Sequence, residues 1–411
     1  MQSVSLPDHT PDHVPAELVF NYDYHGDRYH GERDAEARIH DSLQRLHTDA
    51  PEIFYTPKNG GHWVVRSFQR ISDVVQDPEH FSAKEMQIPR IENPPFFIPL
   101  NVDPPNNIPY RQALMPAFSP KAIRDLEGKI RYWAGSIIDD TLAKGNQFDF
   151  MGEVSSIFPV SVFMELMGMP MERLKEFRAL SDSFFGTNDQ TRIHELSAQI
   201  IGIMTEILME KKENPKDDLM SHILTVKIKD QPISLEEMQN MCFLLFLGGM
   251  DTVTNVTGFS FRQLAGMPEL QQRLQENPED IAKFTDEGIR CFGVISNPRI
   301  VAKDCEMFGI NFKKDDMILC LLPISGRDES VNKNASAFDI DRAKEDSQTL
   351  TFSKGPHLCL GHFLAKTEIR ILAEEWVKRV KSFHLTEGKT LNFRAGFALA
   401  YHELPLTVLS K

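Results

Sequence analysis

The chain has 411 residues, 41% of them hydrophobic and 25% charged, the balance of a globular protein with a sizeable core. Its net charge of −14 argues against a nucleic-acid partner, because binding phosphates calls for an excess of Lys and Arg. The five cysteines (Cys242, Cys291, Cys305, Cys320 and Cys359) are odd in number and form no C-x-x-C pair, which argues against a disulfide framework or a zinc knuckle.

From the start, MQSVSLPDHTPDHVP is polar and Pro-rich with no apolar signal region. We read residues 1–15 as a flexible leader, the location as cytoplasmic, and 1–411 as a single domain, since no repeat or long linker divides it. Glu52–Thr56 and His62–Arg66 are β-like runs around the turn PKNGG. Ser119, Pro120 and Gly145 punctuate a helix whose apolar positions, Ile123, Leu126, Ile130, Trp133, Ile137 and Ile138, recur at helical spacing. Further helical stretches fall near Val154–Met167 and Thr191–Lys212.

A capping box, Ser234 with Glu237, opens a helical run to about Ala265, roughly 48 Å at 1.5 Å per residue. It is apolar on nearly all sides around Leu244–Leu247, so its middle is expected to be buried. The apolar run Met241–Met250 is too short for a membrane span and contains two glycines. A helix over about Glu279–Phe292 follows, then a β-like pair, Glu306–Phe312 with Met317–Leu322, around KKDD, and a last amphipathic helix from Gly361 to Val380. The fold class is mainly α with a smaller β portion.

Two segments carry chemistry. Phe352–Gly361 reads FSKGPHLCLG and lies just before a helix, so a thiolate at Cys359 would face free N–H groups and the positive end of the helix dipole, which lower a cysteine pKa. Thiolate ligation of a haem iron pushes electron density onto the metal and favours O–O cleavage. On spacing alone, an incidental buried cysteine in a Gly-rich loop explains the segment as well. Gly248-Gly249-Met250-Asp251-Thr252 interrupts the central helix, and two mid-helix glycines cost about 1 kcal/mol each. Close helix packing with Thr252 bonded back to a carbonyl is one reason for them; a local opening is the other.

FSKGPHLCLGHFLA resembles the haem-binding signature of the cytochrome P450 superfamily, F-x-x-G-x-H-x-C-x-G-x-x-L-A. Phe352, Gly355, His357, Cys359, Gly361, Leu364 and Ala365 match, and Ser353 stands where glycine is usual. The resemblance implies the P450 fold, with haem b (iron protoporphyrin IX) between the long central helix and the cysteine loop and with Cys359 as the metal ligand. It places Phe352 and Gly248 beside the haem and makes Arg111, Arg299 and His357 candidates for its propionates. Where the family often has a His four residues before Arg111, this chain has Asn107. The resemblance also makes Asp251 a proton relay and gives Thr252 the hydrogen-bond network around dioxygen. Glu287 and Arg290 read as the E-x-x-R brace, joined by Arg342 of FDIDR.

VPAELVF, NGGHW, FIPLNVDPP and LLFLGGMDTVTN are similar to the bacterial camphor-hydroxylating branch. The tyrosine that binds the camphor ketone there falls here at Pro95 or Phe96, so another compact apolar substrate, a terpenoid or norisoprenoid, is expected. Its pocket would be lined by Met86, Gln87, Phe96, Phe97, Leu100, Leu244, Leu247, Ile295 and Phe397. The resemblance implies an O₂-dependent monooxygenase, a monomer fed by a [2Fe–2S] ferredoxin with its NAD(P)H-dependent reductase. Arg111, Lys344, Lys354, Lys366 and Arg370 would form the basic docking patch. A peroxide-driven peroxygenase and a non-catalytic haem sensor are the alternatives; the Asp251–Thr252 pair argues against both.

Overall fold

The computed structural model describes residues 10–25, 39–91, 94–187 and 189–411. Residues 1–9 of the expected leader lie outside them. Residues 10–15 do not behave as a leader: Val14 is buried, and His13 Nε2 bonds Asp316 Oδ2 at 2.9 Å.

Most of the chain is helical because its apolar residues recur at helical spacing and its caps are in place. Ser119 caps the helix Pro120–Lys144 by accepting from the Ala122 amide, and Gly145 ends it at φ 148°. Both bonds of the expected capping box form, Glu237 N to Ser234 Oγ at 3.1 Å and Ser234 N to Glu237 Oε2 at 2.6 Å. The central helix then runs Leu235–Met250, breaks at Asp251, and continues as Thr252–Ala265. Helices Ile157–Met167, Gln190–Glu213, Asp280–Cys291 and His362–Arg379 complete the frame that positions the site.

Counted through its break, Leu235–Ala265 is long and apolar enough by length and composition to cross a membrane. This corrects the reading that stopped at Met241–Met250. Its apolar window is 67% buried inside the fold, so the composition is that of a core helix.

The main sheet has five strands, in the order Ile53–Thr56, His62–Val65, Met317–Cys320, Asn297–Val301, Phe81–Ser82. The first two form the expected hairpin, with Asn59, Gly60 and Gly61 all at positive φ. Met317–Cys320 lies parallel to His62–Val65 and antiparallel to Asn297–Val301. The expected pairing of Glu306–Phe312 with Met317–Leu322 does not form. Phe308 and Gly309 sit at φ 58° and 75°, a two-residue turn that folds Cys305–Met307 onto Ile310–Phe312. That turn releases the second run to the main sheet.

Candidate active site

The Cys359 loop meets the broken central helix across one cavity of about 300 Å³. The helix contributes Leu244, Gly248, Thr252 and Val256, spaced by four, with Leu245, Gly249 and Val253 beside them. This is one stripe of helix surface, and it continues through the break at Asp251. The two glycines have different reasons. A Cβ at Gly249 would drive into the Phe163 ring, whereas one at Gly248 would meet nothing within 4 Å. Close packing therefore accounts for Gly249, and Gly248 opens onto the cavity. Thr252 Oγ1 donates to the Gly248 carbonyl at 3.1 Å.

On the opposite wall, Cys359 N donates to Phe352 O at 2.9 Å, closing the loop before the helix His362–Arg379. Gly355 turns at φ 69°, and a Cβ there would meet Gln76 Cγ at 2.9 Å. Ser353 adopts φ 60°, the conformation that makes glycine usual at this position. The accessible face of Cys359 is the cavity wall. Burial pushes its thiol pKa up, and this outweighs the Gly361 amide and Arg111, which pull it down. The lowered pKa expected from the helix terminus is thus reversed by desolvation. A coordinating metal deprotonates such a thiol outright.

Beside the loop lie buried polar atoms that the protein itself leaves unpaired. Arg299 is buried; its Nη1 donates to Asn297 Oδ1 at 2.8 Å and to Pro298 O at 2.7 Å, while Nη2 has no partner. Neither ring nitrogen of His357 has a partner, nor does Asn107 Oδ1. Burial, reinforced by Arg299 and Arg111, lowers the His357 pKa to about 4, so the imidazole is neutral at physiological pH. Arg111 Nη2 donates to Leu358 O at 2.6 Å. A half-satisfied buried guanidinium calls for an anion. A flat apolar group bearing carboxylates and a metal that accepts sulfur fits this donor set, the apolar walls and the open face at Gly248.

A model of the family "Cytochrome P450" matches residues 160–287 and 286–408. The chain belongs to the cytochrome P450 family. Its cofactor is accordingly haem b, and it is a monooxygenase. The chain is 29% identical over 404 residues to the probable cytochrome P450 127A1 of Sinorhizobium fredii, covering 97% of this chain and 96% of that one. It is 26% identical over 394 residues to the linalool 8-monooxygenase of Pseudomonas putida, covering 90% and 96%. The crystal structure of CYP101J2 superposes with a TM-score of 0.88 at 28% identity, covering 98% of this chain and 99% of that one.

The brace residues meet behind the cysteine loop of this P450. Arg290 donates to both Glu287 oxygens at 2.7 Å, and Arg342 Nε reaches Glu287 Oε1 at 3.3 Å. Thr351 Oγ1, next to Phe352, donates to Ile289 O at 2.8 Å and ties this helix to the loop.

Of the pocket residues read from sequence, Met86, Leu100, Leu244, Ile295 and Phe397 line the cavity, and Gln87, Phe96, Phe97 and Leu247 do not. Leu247 lies off the four-residue stripe and packs into the core. Phe97 is bonded to Asn101 through Phe97 N–Asn101 Oδ1 at 2.9 Å, and its ring lies against Phe243. Phe96 is 46% exposed. Asp251 is also absent from the wall; its buried carboxylate accepts from Asn255 Nδ2 at 2.8 Å and Arg394 Nη2 at 2.9 Å. Burial raises its pKa, against the pull of Arg394.

Sequence reasoning missed Asn297, Glu368 and Arg394; Ser353, marked there only as a departure from the family signature, also lines the cavity. Asn297 was within reach, because period two in the strand puts it on the face of Arg299. Glu368 lines the cavity, and burial pushes its pKa well above the carboxylate range. No local signal marks it.

Proposed function

We propose that this P450 hydroxylates a compact apolar substrate of the terpenoid or norisoprenoid class, using O₂ and electrons from a [2Fe–2S] ferredoxin with its NAD(P)H-dependent reductase, as a cytoplasmic monomer. The observation that carries this reading is the apolar cavity with Cys359 on one wall and the Gly248–Thr252 opening on the other. The curated relative named linalool 8-monooxygenase supports the substrate class.

Bound haem, held through sulfur, supplies the activation of dioxygen and the insertion of one oxygen atom into a C–H bond. Cys359 would hold the iron; Arg299, His357 and Arg111 would take the propionates, with Phe352 packed beside the ring. Thr252 Oγ1 releases the Gly248 carbonyl to donate a hydrogen bond into the cavity. Asp251 passes protons toward that hydroxyl, directly or through a water. Met86, Leu100, Leu244, Ile295 and Phe397 hold the substrate by apolar contact and exclude water, leaving shape to orient it.

Two of the five cations on the basic face, Lys366 and Arg370, are engaged with carboxylates of this chain, whereas Lys344, Lys354 and Arg111 form no ion pair with one among the described residues. Lys366 is paired with Asp286 at 2.8 Å, Arg370 with Glu374 at 2.5 Å and Glu127 at 3.0 Å, and Lys354 donates to Ser72 Oγ at 3.3 Å. Arg111 is engaged with the Leu358 carbonyl. Exposed Leu358 and Phe363 add apolar surface at the same loop. We therefore place the docking energy on mixed contacts, charge and apolar surface together.

The substrate class is tested by a binding screen read through the haem spin state. Cyclic terpenoids and ionone-like ketones are expected to shift the Soret band at micromolar concentrations, about −8 kcal/mol at 1 μM. A panel of this class that leaves the spectrum unchanged, while linear fatty acids shift it, would overturn the assignment.

A further inference from the structure

Asp251 depends on one distant cation. Asn255 belongs to its own helix, but Arg394 comes from the short strand Phe393–Arg394, 143 residues along the chain. The side chains of Arg394 and Asp251 are only 20% and 13% exposed, so this pair escapes the screening that makes surface pairs weak. The Arg394 guanidinium lies 5.8 Å from the centre of the Phe185 ring. On the same helix, Asp182 is near enough to act electrostatically on Asp251 and Arg394, and Arg178 stands 3.7 Å from Asp182. The charged groups facing Asp251 are therefore Arg394 and Asp182, with Arg178 behind.

The same hairpin enters the substrate cavity. Phe393–Arg394 pairs antiparallel with Ala400–Tyr401, and the segment between them carries Phe397 on the cavity wall. Gly396 at φ 111° makes the bend. The tip is fastened to another wall segment, by Leu399 N to Val294 O at 2.9 Å and Ser296 N to Phe397 O at 3.3 Å. A side chain that touches substrate and the cation that holds Asp251 are thus three residues apart on one short piece of backbone.

We propose that Arg394 is a positioning residue for Asp251, and that its hairpin couples the proton relay to occupancy of the pocket through Phe397. The proposal rests on the reading of Asp251 as the relay. While Arg394 holds it, the carboxylate is engaged with Arg394 and Asn255, and the guanidinium favours its charged form against the desolvation that raises its pKa. A ligand pressing on Phe397 displaces the strand and loosens that hold. A buried carboxylate that loses its cation takes up a proton more readily.

The test uses the haem-loaded full chain and infrared difference spectra, with the Asp251 carboxyl band assigned by its loss in Asp251→Asn. Arg394→Gln is expected to raise the pH at which that band titrates by about one unit or more, while Arg394→Lys stays near wild type. Phenylimidazole, whose imidazole nitrogen would bind the haem iron and give the Soret shift by which occupancy is followed while its phenyl ring fills the apolar cavity, is expected to raise the titration in wild type but not in Phe397→Ala. A titration that Arg394→Gln leaves unmoved would overturn the positioning role. A probe effect that persists in Phe397→Ala would overturn the coupling. The relay reading is judged separately, because it fails if Asp251→Asn turns over at the wild-type rate. Thermal unfolding within a few degrees of wild type certifies each variant; should Arg394→Gln fold poorly, Arg394→Met is read in its place, with the same rise expected and an unmoved titration again overturning the positioning role.

Discussion

Arg290→Ala is expected to yield almost no folded, haem-loaded protein. Arg290 is fully buried and saturates its donors. It makes two bonds to Glu287, donates to Ala335 O and Ala337 O at 2.9 Å, and also donates to Gly326 O. Removing it takes the side-chain donor from Ala335 O and one of two donors from each of Gly326 O and Ala337 O, and leaves Glu287 with the Asp339 amide at 2.8 Å, one long bond to Arg342 and the Cys291 thiol. Breaking a buried pair costs about 3–5 kcal/mol, a large share of the roughly 5–15 kcal/mol that holds a domain folded. Arg290→Lys is not expected to rescue it, because an ammonium cannot make the bidentate contact and reach the carbonyls together. Haem content and thermal unfolding check this. A variant within about 1 kcal/mol of wild type would show that the brace is dispensable.

The second large effect is at the sulfur. Cys359→Ser is expected to keep the fold, since the loop is fixed by backbone bonds from Cys359 N and by turns at Ser353 and Gly355. It should lose the long-wavelength Soret band of the reduced carbon-monoxide complex. Dioxygen-dependent product formation should fall by at least about a thousandfold, or ~4 kcal/mol. The absorption spectrum and product yield of the purified variant decide it. Persistence of the band in Cys359→Ser would remove the thiolate from the account.

What the sequence made legible was local. The capping box at Ser234 and Glu237, the Ser119–Pro120 helix start and the Cys359 loop are each set by neighbours within a few residues. Helical spacing also brings Leu244, Gly248 and Thr252 to one face. The misreadings came from longer range or from competing local signals. KKDD is a turn, with Asp315 at φ 72°, but the hairpin forms one turn earlier at Phe308–Gly309. Met317–Cys320 then finds its partners in strands more than a dozen residues away or at the other end of the chain. Phe97 and Leu247 have the composition of pocket residues, yet a bond to Asn101 and a helical offset turn them into core. The Cys359 pKa depends on desolvation by the assembled fold, which no helix-terminus rule contains. Arg394 reaches Asp251 only because a C-terminal hairpin returns to the central helix.

We propose that this chain, with Cys359 and Thr252 on opposite walls of its cavity, incorporates one atom of dioxygen into a compact apolar substrate. The most direct test is turnover under isotopically labelled dioxygen, with a ferredoxin and reductase supplying electrons and the product analysed by mass spectrometry. The account predicts one labelled oxygen atom in each hydroxylated product. Product whose oxygen comes from water, or product formed only when peroxide replaces dioxygen, would contradict it.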